Sequence, residues 1–354
     1  MIEERWREAA LSPPLAHGPP PARGRVRVVP EDFRVEEQLS FTADGAGAHV
    51  LLRVQKRNAN TDWVARQLAA VAGCRAPEVG YAGLKDRRAV TVQWFSVPAG
   101  RRAPEEWNGL AQGEFTVLEA IAHGRKLPRG ALAGNGFSIR VRELAGEASA
   151  IGARLEAIAR RGVPNYFGAQ RFGRGGGNLE RLAALERAHS VPRGFERGIV
   201  LSSARSVLFN AVAAERVAGG SWERLEAGDL ANLDGRGSVF PVGALSPDLE
   251  ARCARLEIHP TGPMWGRGAL ASGGAPRERE QRIAAQLPRL CALLESAGLR
   301  QERRSLRLAV HELEWSLETD LTLSFRLTRG GYATAVLREL LSAPDEEEPE
   351  GEGE

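Results

Sequence analysis

The run Gly80-Tyr81-Ala82-Gly83-Leu84-Lys85-Asp86-Arg87-Arg88-Ala89-Val90-Thr91 sets one carboxylate among three cations. Cations within a few ångströms favour the ionised form, so Asp86 is expected to stay a carboxylate even where a bound ligand excludes water. Arg87 and Arg88 suit phosphates on either side of a nucleotide. Read as residues alone, the run fits a surface turn with compensating charges at least as well.

Two further runs carry residues of interest. Gly162-Val163-Pro164-Asn165-Tyr166-Phe167-Gly168-Ala169-Gln170-Arg171-Phe172-Gly173, followed by Arg174-Gly175-Gly176-Gly177-Asn178, interleaves aromatics with Arg171 and Arg174. That mixture suits base stacking and phosphate contact, or equally a domain-joining turn with buried aromatics. It has neither the Gly-Lys-Ser/Thr of a Walker loop nor a dinucleotide fingerprint. Lys126-Leu127-Pro128-Arg129-Gly130 precedes Gly134-Asn135-Gly136-Phe137, where the Asn135 amide offers the paired donor and acceptor that match a uracil edge. An asparagine between glycines also makes an ordinary turn. Ser202-Ser203-Ala204-Arg205-Ser206, with Phe209-Asn210, is expected to open a helix at a capping serine.

The elements that must position these residues are legible from periodicity. After a proline- and glycine-rich start expected to be extended, Val26, Val28 and Val29 suggest a strand ended by Pro30, and Phe33 and Val35 begin another. His49 to Val54, Thr91 to Val97, the Phe137, Ile139, Val141 series and the Leu321, Leu323, Phe325, Leu327 series all read as strands. Asn60-Thr61-Asp62 caps a helix with Val64, Leu68 and Val71 on one face and Gly73 at its end. Asp86 therefore falls on a loop entering a strand. A last helix carries Ala335, Val336, Leu337 and Leu340.

With 354 residues the chain exceeds one ordinary core, and two domains are expected. No apolar stretch approaches the roughly 20 residues that cross a bilayer, and the charged start is unlike a signal peptide. A soluble, cytoplasmic protein with no membrane partner is expected. Cys74, Cys253 and Cys291 are far apart, as are the six histidines, so neither a disulfide framework nor a metal site is expected. Seven acids crowd the last ten residues, a tail expected to be disordered, and removing them from the net charge of +3 leaves +10. Such a body favours a polyanionic partner, although an arginine-rich composition alone would produce the same excess.

Pro30-Glu31-Asp32-Phe33, Ala82 through Trp94, Gly134-Asn135-Gly136-Phe137, Val163 through Gly173, Ser202 through Asn210 and Ala333-Thr334-Ala335-Val336-Leu337-Arg338-Glu339 resemble the motifs of the tRNA pseudouridine synthase D (TruD) family, in its order. The resemblance spans about residues 18 to 342. It implies an α+β fold: a pseudouridine-synthase catalytic domain with a mixed, largely antiparallel sheet and flanking helices, at 23–160 and 307–343, interrupted by an inserted α/β TRUD domain at 161–306. An extended lead-in at 1–22 and a disordered acidic tail at 344–354 complete that division.

The implied activity is isomerisation of a uridine of tRNA, uridine 13 in the D arm, to pseudouridine. The target nucleotide is flipped into a pocket where Asp86 acts on it. The resemblance makes Asp86 the catalytic carboxylate and Lys85 its neighbouring cation, and sets Phe33, Asn135, Phe137 and Tyr332 around the substrate. Arg87, Arg88, Lys126, Arg129, Arg171 and Arg174 are the candidate RNA contacts. tRNA is the implied partner, with no cofactor and no obligate protein partner evident. The family's usual phenylalanine is Tyr332 here, whose added hydroxyl needs a partner. A non-catalytic tRNA-binding or folding module with the same basic cleft is the competing reading.

Overall fold

Alternation of inward and outward side chains builds the sheet that carries Asp86. In the strand Phe33–Leu39, Phe33, Val35 and Glu37 turn inward while Arg34, Glu36 and Gln38 are exposed. The strand Leu321–Thr328 buries Leu321, Leu323, Phe325 and Leu327 in the same way. The computed structural model, which describes residues 4–100, 102–188 and 194–342, joins these strands in one ten-stranded sheet. Its main path runs His311–Leu317, Leu321–Thr328, Leu132–Gly146, Phe33–Leu39, Val90–Pro98, His49–Arg57, Phe115–His123, Ala111–Gln112. Only Phe33–Leu39 and Val90–Pro98 pair in parallel, so among the described residues the sheet is mixed and largely antiparallel.

The helix Thr61–Ala72 packs Val64, Ala65, Leu68 and Ala69 against the inner face of this sheet, beside Phe95 and Val97. Each fully buried Leu or Val contributes about 1.5–3 kcal/mol there. Gly73 ends the helix in the left-handed region at φ +68°, where its N–H reaches the Ala69 and Ala70 carbonyls.

Two compact units divide the chain. Among the described residues, one comprises Ala22–Ile151 with His311–Gly330, and the other holds the residues up to Pro21, Gly152–Val310 and Gly331–Ser342. The ten-stranded sheet lies wholly in the first. In the second, the strands Val239–Pro241, Leu230–Leu233, Ile258–Met264 and Glu302–Ser305 form a four-stranded sheet, and the long helix Gly194–Ala218 supplies Val207, Leu208, Ala211 and Val212 to the core. The α+β expectation holds.

Several local expectations give way. The start contains a helix, Glu4–Leu11, whose Trp6 and Ala10 enter the core of its unit; the prolines begin only at Pro13. The valine alternation at 26–29 makes no strand, because the pairing segment is Ala22–Arg25 and Arg27 then adopts φ +58°. Val28 and Val29 are left exposed. Ser202 caps nothing: the helix begins at Gly194, and the mid-helix hydroxyls of Ser203 and Ser206 donate back to the Ile199 and Ser202 carbonyls at 3.0 and 2.8 Å. Tyr166, Phe167 and Phe172 are buried, with the Asn210 amide bonded to both backbone groups of Phe167 at 2.9 Å. No helix among the described residues is long and apolar enough to cross a membrane. The acidic tail at 344–354 and His189 lie outside the described residues.

Candidate active site

The loop bearing Asp86 is fixed by distant residues that reach its backbone. A Cβ on Gly80 would come within 2.4 Å of Ser96 Oγ and 2.6 Å of the Leu127 carbonyl, so the strand Gly80–Tyr81 has to begin with glycine. Gln93, buried on the neighbouring strand, donates to the Gly83 carbonyl at 2.6 Å. Thr61 Oγ1 donates to Gln93 Oε1 and accepts from the Lys85 N–H, both at 3.1 Å. Lys56, fully buried, donates to the carbonyls of Ala59 at 2.7 Å and Asp86 at 2.9 Å. Burial pushes the Lys56 ammonium down to about 8, with the nearby Asp86 charge opposing that fall and Lys85 adding to it.

Held in this way, the Asp86 side chain is 45% exposed and meets Arg27, whose Nη2 lies 3.2 Å from Oδ2. The Arg27 guanidinium also sits 4.0 Å from the ring centroid of Phe33. Arg27 thus places a cation on the Asp86 carboxylate, a role the sequence suggests for Lys85. Lys85 turns elsewhere: its Nζ is 2.9 Å from Glu37 Oε1 and donates to Asn135 Oδ1 at 2.7 Å. Glu37 and Asn135 are opposite each other across antiparallel strands, so both side chains reach the same ammonium. The second Glu37 oxygen accepts from the Trp94 N–H at 2.9 Å.

Phe33, Phe137 and Phe325 form an aromatic floor beside these groups. Phe137 meets Phe33 edge-on at 6.2 Å and stacks on Phe325 at 5.3 Å. Phe33 is 1% and Phe137 8% exposed, so their rings are packed rather than open for stacking, and Arg27 covers the Phe33 face. Asp32 anchors the approach to Phe33 through a bidentate pair with Arg142 at 2.8–2.9 Å. The structure therefore brings Asp86, Lys85, Phe33, Asn135 and Phe137 into one neighbourhood and adds Arg27, Glu37, Lys56 and Phe325. In the sequence, the only signal for Arg27 is a cation interrupting the valine alternation.

Among the proposed RNA contacts, Arg87 and Arg88 are exposed on the loop. Lys126 donates to the Pro77 carbonyl at 2.5 Å, and Arg129 lies 3.7 Å over the Tyr81 ring. Tyr332 belongs to the second unit, where its hydroxyl accepts from Arg171 Nη2 at 2.7 Å; this is the partner that the extra hydroxyl requires. The Arg174 side chain lies outside those described.

Comparison with known proteins defines the class first: the pseudouridine synthases, isomerases that convert uridine to pseudouridine. The family model "tRNA pseudouridine synthase D (TruD)" matches residues 15–185 and 178–340. The chain is 46% identical over 334 residues to the tRNA pseudouridine synthase D of Nitrosococcus oceani, covering 92% of this chain and 93% of that protein. It is also 46% identical to that of Methylococcus capsulatus, over 93% of this chain and 94% of the relative. A crystal structure from Methanosarcina mazei bearing the same family name aligns at a TM-score of 0.70 over 96% of this chain and 98% of that one, and at 20% identity it shows the shared fold. The chain belongs to the tRNA pseudouridine synthase D (TruD) family.

Proposed function

We propose that this chain converts uridine 13 in the D arm of tRNA to pseudouridine, with Asp86 as the carboxylate that acts on the flipped nucleotide. The observation that carries the reading is the contrast between two acids of the site. Glu37 is buried and committed to Lys85, whereas Asp86 is 45% exposed on a loop whose backbone is bonded to Gln93, Thr61 and Lys56. A reactive group has to be both accessible and held still, and Asp86 is both.

The reaction breaks the N1–C1′ bond of uridine, joins C1′ to C5, returns a proton to N1 and removes one from C5. It conserves oxidation state and composition. Asp86 initiates it by attacking C1′ or by taking the C2′ proton. Arg27 holds the carboxylate from the side of Phe33, and the Asn135 amide supplies a donor to a uracil carbonyl while its oxygen stays on Lys85.

The test is Asp86→Asn on an unmodified tRNA transcript, with pseudouridine mapped by position. The expected result is no product and near-parental transcript affinity. Product from the variant would overturn the assignment of Asp86, and parental product away from position 13 would overturn the assignment of the target. A primary isotope effect with 2′-deuterated uridine distinguishes proton removal from attack at C1′.

A further inference from the structure

Leu84 stands two residues before Asp86 and is 68% exposed, whereas the other exposed large apolar side chains among the described residues reach at most 41%. That exposure is held in place. The loop is rooted by buried Ala82 on one side and buried Ala89 on the other; the Gly83 carbonyl accepts from Gln93 Nε2 at 2.6 Å, and the Lys85 N–H donates to Thr61 Oγ1 at 3.1 Å. The peptide groups on both sides of Leu84 are therefore fixed while its side chain is turned to water. A Cβ on Gly83 would meet no atom within 4 Å beyond its chain neighbours, so the space before Leu84 is open as well. At that exposure Leu84 contributes little to the packing of its own unit, and it forgoes the hydrophobic free energy that burial would return.

A flipped nucleotide supplies a place for that burial. A uridine turned out of its stack leaves a gap between two bases, and apolar side chains such as leucine are suited to enter a base step and keep it apart. The aromatic rings beside Asp86 are not free to do so, since Phe33, Phe137 and Phe325 are all buried. Leu84 presents its apolar group on the same loop as Asp86, with Arg87 and Arg88 exposed beyond it for the phosphates. Two residues span at most about 7 Å, so Leu84 stays within reach of the nucleotide on which Asp86 acts.

We propose that Leu84 is a wedge that enters the gap left by the flipped uridine, packing between the neighbouring bases and holding the target out for Asp86. It is a positioning residue: it touches the RNA beside the target and none of the reacting atoms. The inference rests on the reading of a flipped uridine as the target and adds the side chain that keeps the flip open.

The test follows the flip and the turnover separately. In the binding arm, Asp86→Asn alone and combined with Leu84→Ala, Leu84→Met or Leu84→Gln is mixed with a tRNA transcript carrying 2-aminopurine beside the target, whose fluorescence rises when the adjoining base leaves the stack and the gap stays open. In the turnover arm, the parent and the three Leu84 variants are compared in single turnover on the plain transcript and on one whose target has an abasic site on each side, which leaves a wedge nothing to pack on. Leu84→Ala is expected to lose most of the brightening and about tenfold in rate on the plain transcript, the scale of one buried leucine, with an unchanged unfolding midpoint. On the abasic-flanked transcript the parent and Leu84→Ala should react equally fast. Leu84→Met, apolar and of similar volume, should recover most of the loss, and Leu84→Gln should not. An alanine variant as fast as the parent on the plain transcript, equal losses on both transcripts, or a glutamine variant as active as the methionine one overturns the proposal; equal losses would make Leu84 a support of the loop. The binding arm needs no product, so a parent that forms no pseudouridine while the brightening still depends on Leu84 would uphold the wedge and count against the proposed reaction alone.

Discussion

Arg27 reaches the Asp86 carboxylate at 3.2 Å while its guanidinium rests 4.0 Å from the centroid of Phe33, so one side chain links the reactive acid to the aromatic floor. Arg27 is only 16% exposed against 45% for Asp86, which leaves one carboxylate edge open and the other directed. A hydrogen bond to a charged group is worth about 1.5–3 kcal/mol, or about ten- to a hundredfold in rate when it operates in the transition state. Arg27→Ala is therefore expected to lower kcat by that factor with less than about a threefold change in transcript affinity. Arg27→Lys should recover part of it, keeping the charge but not the planar stack on Phe33. Equal losses in kcat and affinity would show that Arg27 serves RNA binding generally.

Lys85 and Glu37 make a pair that is 9% and 0% exposed, completed by Asn135. Removing one member of a buried pair leaves an uncompensated charge and costs about 3–5 kcal/mol, whereas replacing both costs far less. Glu37→Gln is expected to destabilise by that amount, and the double variant Glu37→Gln with Lys85→Met to regain much of it. Denaturant unfolding of the parent, both single variants and the double variant closes the cycle. Additive losses would rule out the coupling.

The strands were readable because their chemistry is local: alternation in Phe33–Leu39 and Leu321–Thr328 states which face is buried without reference to anything else. Asp86 was readable for the same reason, as an acid in a basic, glycine-bearing run. Its partners were not. Arg27 lies 59 residues away from Asp86 in the chain, and nearness in sequence points to Lys85 instead. The Lys85 ammonium diverges because Glu37, brought opposite Asn135 by strand register, offers it a buried counter-charge. The helix start at Ser202 failed through a related ambiguity, since serines cap helices and also bond back to the preceding turn, as Ser203 and Ser206 do here.

Lys56 ties stability to pH. Its folded value is down at about 8, below the ordinary lysine range near 10.4, so between these limits the unfolded chain binds the proton that the folded chain has released. Stability from this group therefore rises with pH across that window, by at most about 1.4 kcal/mol per pH unit, and is least favourable below pH 8, where burial opposes the charge. Lys56→Met should remove this upward trend, seen as a parent-minus-variant difference in unfolding free energy that grows from pH 8 to 10. A difference that stays flat over that range would place the Lys56 proton on the folded chain throughout.

The Tyr332 hydroxyl accepts one of the two hydroxyl-directed bonds of Arg171, the other going to Ser202 at 2.6 Å. Tyr332→Phe keeps the ring and its packing and deletes only that acceptor, on a guanidinium that is itself partly solvated. The expected cost in stability is therefore about 1 kcal/mol, the size of one ordinary hydrogen bond. Pseudouridine formation should stay within about twofold of the parent if Ser202 and the Phe167 ring keep Arg171 in place. Tyr332→Ala removes the ring as well and should cost several times more stability. Parallel denaturant titrations and single-turnover assays on the same transcript decide the matter: a tenfold loss of turnover in the phenylalanine variant at unchanged stability would mean that the hydroxyl serves the reaction and does more than hold Arg171.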